Sequence, residues 1–431
     1  MTGNLKIQLK ENFLFGLVMT CRLLLGFVFL FSGTMKAIDP AGGAIKVEEY
    51  FTAFGFPDMQ WLALPFSINL ATVEFTLGVC MILGVYRKYS SLFTLLMMLF
   101  MTPLTLYLAL KNPVADCGCF GEAIILTNWQ TFYKNIVLLA ASIVAFLYHK
   151  RTTAFYSYKV YWFVAVYAYL FCIGFSIHNY RHLPIIDFRP FKVGTNIAEG
   201  MTIPDDALQD EYTYSFVYEK DGKEQTFTLD DAPSADSTWT FVRSESKLVS
   251  KGFQPLISDF VVLSFDGEDM TELLLNDTTG LFLLISPKLE EASDGHIDEI
   301  NTTFDYAQEK KMRFYCLTGS EEAEIKQWVD YTGAEYPFLF CDAVTLKTMI
   351  RSNPGLMLLK EGTILAKWHN NDIPEEQQID KITTNLLLKP IEDKKGRRIL
   401  TNVLTFAVPL SLVWLFDFWR TRKKKGKTQE E

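Results

Sequence analysis

Two cysteines separated by one glycine, Cys117 and Cys119 in the segment DCGCFG, are the residues of this chain best suited to chemistry. A thiolate is the nucleophile of thiol–disulfide exchange, and a disulfide across so short a spacing departs from relaxed geometry and is easily reduced. Gly118 supplies the backbone freedom that such a small ring needs. The same spacing is compatible with a structural disulfide or with half of a metal site.

A closed zinc site needs four ligands. The segments near the cysteines offer only His178 and His182 as further nitrogen ligands, so we predict no metal site. The choice between a redox pair and a structural disulfide then depends on the side of the membrane on which the pair lies, since thiols are usually oxidised outside the cytoplasm.

The elements that must position the cysteines are membrane helices. The chain has 431 residues and is 49% apolar, but the apolar residues are concentrated in long runs, and about 20 helical residues cross a bilayer. Six runs are long enough to span a membrane: 13–35, 66–85, 91–110, 129–148, 161–177 and 400–418. We therefore expect a membrane protein with a large soluble part.

Basic residues predict the orientation of these spans. Lys6 and Lys10 precede the first span, Arg87 and Lys88 separate the second from the third, and basic segments follow the fourth and sixth. All of these clusters lie on one side if both termini are cytoplasmic, as the positive-inside rule requires. Residues 181–395 and the cysteine loop are then extracytoplasmic. We expect the inner membrane of a bacterium, with lipid and an extracytoplasmic protein as partners and no nucleic acid.

Charged residues within membrane spans are normally paired or functional. Arg22 and Glu74 lie near the middle of the first and second spans, which run in opposite directions, so we predict an ion pair between them. A proton relay is the alternative, and it makes a transporter a weaker third possibility for the function. Lys134, in the outer part of the fourth span, lies close to the cysteine loop and could favour a thiolate there.

The five remaining cysteines lie in apolar or strand-like runs, where a thiol usually acts as a small buried hydrophobic group. They are Cys21, Cys80, Cys172, Cys316 and Cys341.

The membrane half resembles the DoxX family and the related methylamine-utilisation MauE family. The segments CRLLLGFVFLFSGTMK, PLTLYLA, DCGCFG and NWQTFYKN carry the resemblance, which covers about 14–148. It implies a four-helix membrane core that forms or handles disulfides in an extracytoplasmic partner, in the general manner of quinone-linked disulfide oxidoreductases. Quinone is therefore the one cofactor that the resemblance implies. Those oxidoreductases use two cysteine pairs, whereas this chain has one pair on the outer side.

The segment after the connector alternates strands and helices, which predicts an α/β domain with a mixed sheet. DFVVLSFDGEDMTELLL and SNPGLMLLKEGTILAKW resemble the opening hairpin and the proline turn of thioredoxin-like proteins of the TlpA type. The resemblance implies that Pro354 is a cis-proline beside a groove that could bind a partner. The Cys-x-x-Cys expected after LFLLIS is replaced by PKLEEASDG, so we expect no thioredoxin activity from this domain.

The sequence thus predicts a membrane α-helical bundle with an extracytoplasmic α/β thioredoxin-like domain. We expect Cys117 and Cys119 to exchange thiols and disulfides, and a membrane thiol–disulfide oxidoreductase is the enzyme class that this chemistry would fit. The soluble domain would recruit a partner. A scaffold of an envelope complex with a structural disulfide is the alternative. The predicted divisions are a cytoplasmic N-terminus (1–12), a five-span membrane domain (13–180, with its core at 13–148), a β-rich connector (181–254), the thioredoxin-like domain (255–395) and the sixth span with its basic tail (396–431).

The orientation can be tested with reporters. A reporter that is active only after export should be active when fused after Lys220 and inactive when fused at the C-terminus. A reporter that is active only in the cytoplasm should give the opposite result, because loops rich in lysine and arginine stay on the cytoplasmic side of the membrane. Reversed signals from the two fusions would place the cysteine pair in the cytoplasm.

Overall fold

Six long apolar helices form the membrane part of the chain. The computed structural model describes residues 2–204, 206–208, 211–220, 222–228, 231–233, 238–250, 252–258, 260–388 and 395–427. Within them, six helical segments are long and apolar enough to cross a membrane: Gln8–Ile38, Pro57–Leu83, Arg87–Lys111, Asn128–Leu147, Tyr158–Arg181 and Gly396–Arg422. They correspond to the six predicted spans. The predicted junction near 395 follows residues 389–394, which lie outside the described residues.

The helices of the bundle are α1 (Thr2–Ile38), α2 (Pro40–Ala53), α3 (Ala63–Leu83), α4 (Arg87–Lys111), α5 (Asn128–Leu147) and α6 (Tyr161–Arg181), and the C-terminal helix is α13 (Lys395–Lys427). The first five spans belong to α1, α3, α4, α5 and α6, and the sixth belongs to α13. The core pairs are α1 with α3 and α4 with α5, and α6 packs on α3. The short helix α2 lies at the end of the bundle that also carries the loop between α4 and α5.

Glycines determine the register between α1 and α3. A Cβ atom added to Gly78 would lie 2.4 Å from the backbone nitrogen of Leu30, and one added to Gly33 would lie 2.4 Å from that of Phe75. Small residues allow membrane helices to approach this closely. The seam therefore places residue 30 of α1 beside residue 78 of α3 and residue 33 beside residue 75.

This register shows that the predicted pairing of Arg22 with Glu74 is wrong. Arg22 lies beside Gly84, where a Cβ atom would be 2.9 Å from its guanidinium, and it donates to the carbonyl oxygen of Thr153 at 2.6 Å. Glu74 is ten residues earlier on α3, roughly 15 Å away along the helix axis. Arg22 therefore lies at the end of α3 rather than in the middle of the membrane, because the glycine seam offsets the two helices.

The basic segments gather at the end of the bundle that contains Arg22. Arg151, which follows α5, pairs with Glu11 of α1, and Arg87 at the start of α4 donates to the carbonyl of Thr152. Asp417 of α13 accepts from Ser157 at the same end. The opposite end carries α2, the cysteine loop and the soluble domain, so the two kinds of segment lie on opposite sides of the bundle.

The soluble part contains a six-stranded sheet and a separate three-stranded sheet. The strands are β1 (Glu211–Lys220), β2 (Lys223–Thr228), β3 (Thr240–Ser250), β4 (Val262–Leu263), β5 (Leu281–Ser286), β6 (Arg313–Thr318), β7 (Phe338–Cys341), β8 (Gly355–Lys360) and β9 (Thr363–His369). The soluble helices are α7 (Ile197–Met201), α8 (Thr271–Leu275), α9 (Ile297–Glu309), α10 (Glu322–Thr332), α11 (Ala343–Met349) and α12 (Glu376–Leu388). The strand orders are β2-β1-β3 and β4-β7-β6-β5-β8-β9.

The central strand β5 shows why the larger sheet is buried on both faces. Its side chains alternate, so Leu283 packs with α11 on one face and Phe282 packs with α9 and α10 on the other. It pairs in parallel with β6 and antiparallel with β8, which gives the mixed sheet that the sequence predicts. Phe191 and Ile197, from the predicted connector, also pack into this core. The C-terminal domain has the strand pattern of a thioredoxin-like fold.

The cysteines outside the DCGCFG segment lie where the sequence predicts. Cys80, Cys172, Cys316 and Cys341 are buried, and Cys21 is half-buried. Each therefore packs as an apolar group. Cys341 is in β7 and fully inaccessible, so it belongs to the sheet core.

Candidate thiol site

The cysteine loop joins α4 to α5. Hydrogen bonds from the side-chain amide of Asn128 connect the two ends of this loop. The side-chain nitrogen of Asn128 donates to Asn112 Oδ1 at 2.8 Å and to the carbonyl oxygen of Val114 at 3.0 Å. Thr127 and Gln130 form a capping box that starts α5. The two ends of the loop are thus held together over the bundle.

Within the loop, the two thiol sulfurs face each other. Cys117 Sγ lies 2.7 Å from Cys119 Sγ, and both residues are half-buried. Gly118 has φ = +65°, in the left-handed region that favours glycine, and its N–H donates to Asp116 Oδ1 at 2.9 Å. The two sulfurs are not joined by a disulfide in the structure. Their oxidation to a disulfide stays a prediction.

Neighbouring helices hold the backbone of both cysteines. Tyr50 of α2 donates its hydroxyl to the carbonyl oxygen of Cys117 at 3.0 Å. Ser32 of α1 lies 2.6 Å from the carbonyl oxygen of Cys119, within donating distance. Lys46 of α2 pairs with Asp116 at 3.1 Å. Three contacts from two helices therefore fix the loop above the bundle.

Glu74 has a partner that the sequence analysis missed. Lys36 Nζ lies 2.7 Å from both carboxylate oxygens of Glu74, and the two side chains are only 12% and 8% exposed. Ser32 Oγ is 2.7 Å from Glu74 Oε2, so the pair is connected through Ser32 to the Cys119 carbonyl. Lys36 follows Ser32 by one helical turn, at the end of the first span nearer to the cysteine loop. This spacing places both side chains on the same face of α1, and it was the feature of the sequence that could have indicated Lys36 as the partner of Glu74.

Two lysines favour a thiolate at Cys119. Lys134 of α5 lies 4.2 Å from the centre of the Phe120 ring, directly after Cys119. The hydrogen bond from the Cys117 thiol, together with the cations of Lys134 and Lys36, lowers the pKa of Cys119 to about 6, although burial and the Glu74 carboxylate act in the opposite direction. The same thiol contact and burial raise the pKa of Cys117 above its ordinary value. Cys119 is therefore the more acidic thiol of the pair.

The proline turn of the thioredoxin-like domain faces the membrane part of the chain. The Asn353–Pro354 peptide bond is cis, and the Asn353 side-chain nitrogen donates to the carbonyl oxygen of Lys288 in the loop after β5. That loop occupies the position of the absent Cys-x-x-Cys. A cleft of about 550 Å³ separates the turn from α2, and it is lined by Ala44, Ile45, Glu48, Lys288, Ile350 and Asn353, among others.

Helix α2 lies between this cleft and the cysteine pair. Lys46 and Tyr50 contact the cysteine loop, whereas Ile45 and Glu48 line the cleft. The cysteine pair and the cleft are therefore separated by the width of one helix, about 10 Å.

An arginine just before the proline turn joins the soluble domain to the bundle. Arg351 donates to Asp39 at 3.0 Å, at the start of α2, and it also pairs with Glu122 in the cysteine loop. The Arg351 side chain is 7% exposed, so its contact with Asp39 is largely shielded from water, whereas the Glu122 side chain is 37% exposed. Glu122 is three residues after Cys119, so this ion-pair cluster links the loop directly to the soluble domain.

The histidines considered as metal ligands pack against each other. The rings of His178 and His182 have centroids 4.7 Å apart, and His182 pairs with Asp372 of the soluble domain at 2.7 Å. Within the described part of the chain, no group of three or more His, Cys, Asp and Glu side chains is arranged to hold a metal ion. His182 and Asp372 form a second contact between the bundle and the soluble domain.

Comparisons with known proteins match separate parts of the chain. Residues 14–148 match the family described as methylamine utilisation protein MauE, and residues 212–251 match a domain of unknown function, DUF8463. Protein TlpB of Flavobacterium psychrophilum is 28% identical over 136 residues, which are 31% of this chain and 37% of that protein. The chain therefore covers little more than a third of the length of this relative.

A solved structure was also found. The solution structure of a candidate protein disulfide isomerase from Bacteroides thetaiotaomicron is 17% identical, with a TM-score of 0.24 over 30% of this chain and 87% of that chain. The resemblance of the N-terminal region to MauE is confirmed, whereas the resemblance to DoxX stays a prediction.

The ion pair between Lys36 and Glu74 can be tested by single and double substitution. Glu74→Gln leaves a buried lysine without its carboxylate, which we expect to cost about 3 to 5 kcal/mol of stability. The double variant Lys36→Met/Glu74→Gln removes both charges and should unfold close to the wild-type temperature in thermal unfolding of the purified protein. If the double variant were as unstable as Glu74→Gln, an ion pair would not explain the two residues.

The lowered pKa of Cys119 can be tested by measuring how the rate of its alkylation depends on pH. Because its pKa is lowered to about 6, the fraction of thiolate at Cys119 rises through that pH and is complete near pH 8. Pulse alkylation of the reduced protein, with modified residues assigned by mass spectrometry, should show this profile at Cys119 and not at Cys117. Lys134→Met should move the midpoint to higher pH, since a cation that favours the thiolate is lost.

Lys111→Met is the matched control, because Lys111 is exposed at the same end of the bundle. It should leave the midpoint of Cys119 unchanged. A wild-type midpoint near the ordinary cysteine value of about 8.5 would contradict the assignment of Cys119 as the more acidic thiol of the pair.

Proposed function

We propose that this protein exchanges thiols and disulfides with an extracytoplasmic protein through Cys117 and Cys119. The observation that carries the proposal is the geometry of the pair: two sulfurs 2.7 Å apart, with lysine cations from α1 and α5 acting on Cys119. The match of the surrounding helices to MauE and the neighbouring thioredoxin-like domain support the same chemistry. Thiol–disulfide exchange needs an accessible thiolate, and both cysteines are half-buried rather than sealed in the core.

The chemistry follows from the different acidities of the two thiols. The Cys119 thiolate attacks a partner disulfide, so that a Cys119–partner bond forms as the partner's S–S bond breaks, and the released partner thiolate takes up a proton. Cys117 then loses its proton and attacks Cys119 Sγ, which forms the Cys117–Cys119 disulfide and releases the second partner thiol. Two electrons pass from the pair to the partner. The reverse sequence oxidises a partner dithiol.

The thioredoxin-like domain recruits the partner without taking part in the exchange. It has no cysteine in the loop after β5, and its two cysteines are buried in the sheet. Its proline turn opens into the cleft beside α2, and Arg351 holds this face over the cysteine loop. A peptide bound in the cleft would be brought within about one helix width of the thiols.

The pair faces the outside of the inner membrane of a bacterium in this proposal. The clustering of basic residues at the opposite end of the bundle supports that orientation, because such residues are retained in the cytoplasm. Extracytoplasmic compartments also favour disulfides.

In the reverse sequence the pair oxidises a partner dithiol and is left as two thiols. A quinone is the class of two-electron acceptor that would then restore the Cys117–Cys119 disulfide. The residues of an apolar groove of about 660 Å³ between α3 and α4 fit such a group, with Phe66 and Phe93 among its walls. Asn69 and Tyr169, whose polar atoms lie 3.5 Å apart, would hold a quinone oxygen. Asn69 is in the part of α3 nearer to the cysteine loop.

The proposal is tested by replacing each cysteine with serine in whole cells. Cys117→Ser should accumulate a mixed disulfide between Cys119 and a partner, since the resolving thiol is gone, and acid quenching with non-reducing electrophoresis would show it as a reducible shift. Cys119→Ser should give no such species, because Cys117 remains protonated. Both variants should be inserted at normal abundance.

Cys21→Ser, which changes a thiol near the middle of α1 and away from the cysteine loop, is the matched control and should behave as wild type. If neither loop variant traps a partner and the double serine variant leaves the redox state of extracytoplasmic thiols unchanged, the pair is a structural disulfide. The protein would then be better explained as a scaffold.

A further inference from the structure

A small pocket at the basic end of the bundle is lined by cationic side chains. It lies where α3 ends and α4 begins, on the side of the membrane opposite to the thiols. Its polar lining consists of Arg22, Arg87, Ser90, Ser91, His149 and Thr152. Arg87 and His149 are half-buried, so the pocket reaches the surface of the bundle.

The charge of Arg22 has no counter-ion within this pocket. Arg22 is 4% exposed, and its Nε atom is buried without a hydrogen-bond partner. Its terminal nitrogens reach only the carbonyl oxygens of Thr153 and Ile82. Among the residues that the structure describes, no carboxylate lies within 4.0 Å of Arg22 or Arg87. A buried charge without a counter-ion is costly, so an anion from outside the chain would stabilise the pocket.

The first turn of α4 adds to the positive potential. This helix is 25 residues long, and its N-terminus has no side-chain cap. Unbonded N–H groups at the start of a long helix attract anions. The hydroxyls of Ser90 and Ser91 donate back to carbonyls of the same helix, which leaves the arginines as the side-chain donors available to a ligand.

The size and position of the pocket indicate which anion enters it. There is about 10 Å³ of space for the centre of a water-sized group, enough for one oxygen atom and too little for a whole phosphate. Exposed aromatic side chains surround this end of the bundle, namely Tyr89, Tyr148, Phe155, Tyr158 and Trp162. Tyrosine and tryptophan are enriched at the level of lipid headgroups.

We propose that this pocket binds one oxygen of a phosphate anion, with Arg22 and Arg87 as its ligands, and that the headgroup of an anionic phospholipid supplies it. Arg22 Nε donates to the phosphate oxygen from inside the bundle, and Arg87 contacts the same group from the surface. The site is independent of the proposed thiol chemistry, because it lies at the other end of the helices. It also supplies a counter-ion to a buried arginine that Glu74 does not reach.

The test uses the full-length protein in neutral detergent, titrated with phosphatidylglycerol or, separately, with sodium phosphate at constant ionic strength. The thermal unfolding midpoint of the wild type should rise to a plateau with phosphatidylglycerol. Arg22→Gln and Arg87→Gln should each raise the lipid concentration for the half-maximal shift by about tenfold or more, because a hydrogen bond to a charged group is lost. Lys88→Gln removes the same charge from the neighbouring exposed residue and should respond as wild type.

A saturable rise with sodium phosphate that Arg22→Gln weakens would support the same site and identify the free anion as a sufficient ligand. A rise with phosphatidylglycerol alone would identify the lipid as the source. The proposal is overturned if the arginine variants respond to both ligands as the wild type does, since Arg22 would then only cap the carbonyls at the end of α3. If Arg22→Gln does not fold, the response of Arg87→Gln decides the outcome by the same criterion.

Discussion

The ion pair between Lys36 and Glu74 is the interaction on which the thiol end of the molecule depends. It lies in the glycine seam between α1 and α3, where the backbones are in contact, and its two charges are almost fully buried. Through Ser32 it reaches the backbone of Cys119, and the cation of Lys36 also favours the Cys119 thiolate. A single ion pair therefore neutralises a buried carboxylate, supports the cysteine loop and adjusts the acidity of a thiol.

The position of the soluble domain follows from a second group of charges. Arg351 lies between Asp39 and Glu122, one at the start of α2 and the other in the cysteine loop. Because Arg351 is close to the cis-proline turn, the same contact directs the groove of the thioredoxin-like domain towards α2. A domain without its catalytic cysteines is thus placed where it could present a partner to cysteines from another part of the chain.

The buried charges near the thiols differ in their partners from those that line the pocket at the basic end. At the thiol end, buried charges are matched within the chain, as in Lys36 with Glu74 and Arg351 with Asp39. At the basic end, Arg22 and Arg87 approach one pocket without a carboxylate among the described residues. Matched charges suit a site whose chemistry depends on fixed thiol acidity, whereas unmatched charges suit a site that binds an anion from its surroundings.

Local patterns in the sequence were sufficient for the six spans, the strands around LFLLIS and the importance of Gly118, because each depends on neighbouring residues or on length and composition. The cis-proline at Pro354 was implied by the resemblance to TlpA-type proteins. The partners of charged residues were not predictable in this way. Arg22 and Glu74 have similar depths when each span is counted from its ends. The close contacts of Gly33 with Phe75 and of Gly78 with Leu30 set the register of α1 on α3, which brings Lys36 to Glu74 instead. Likewise, only the tertiary structure placed α2 between the thiols and the proline turn, since that arrangement depends on Arg351, more than 300 residues from its partner Asp39 in the chain. The length of an apolar run is a property of consecutive residues, so the sequence alone determines it. The register between helices and the pairing of buried charges depend on contacts between segments that are distant in the chain.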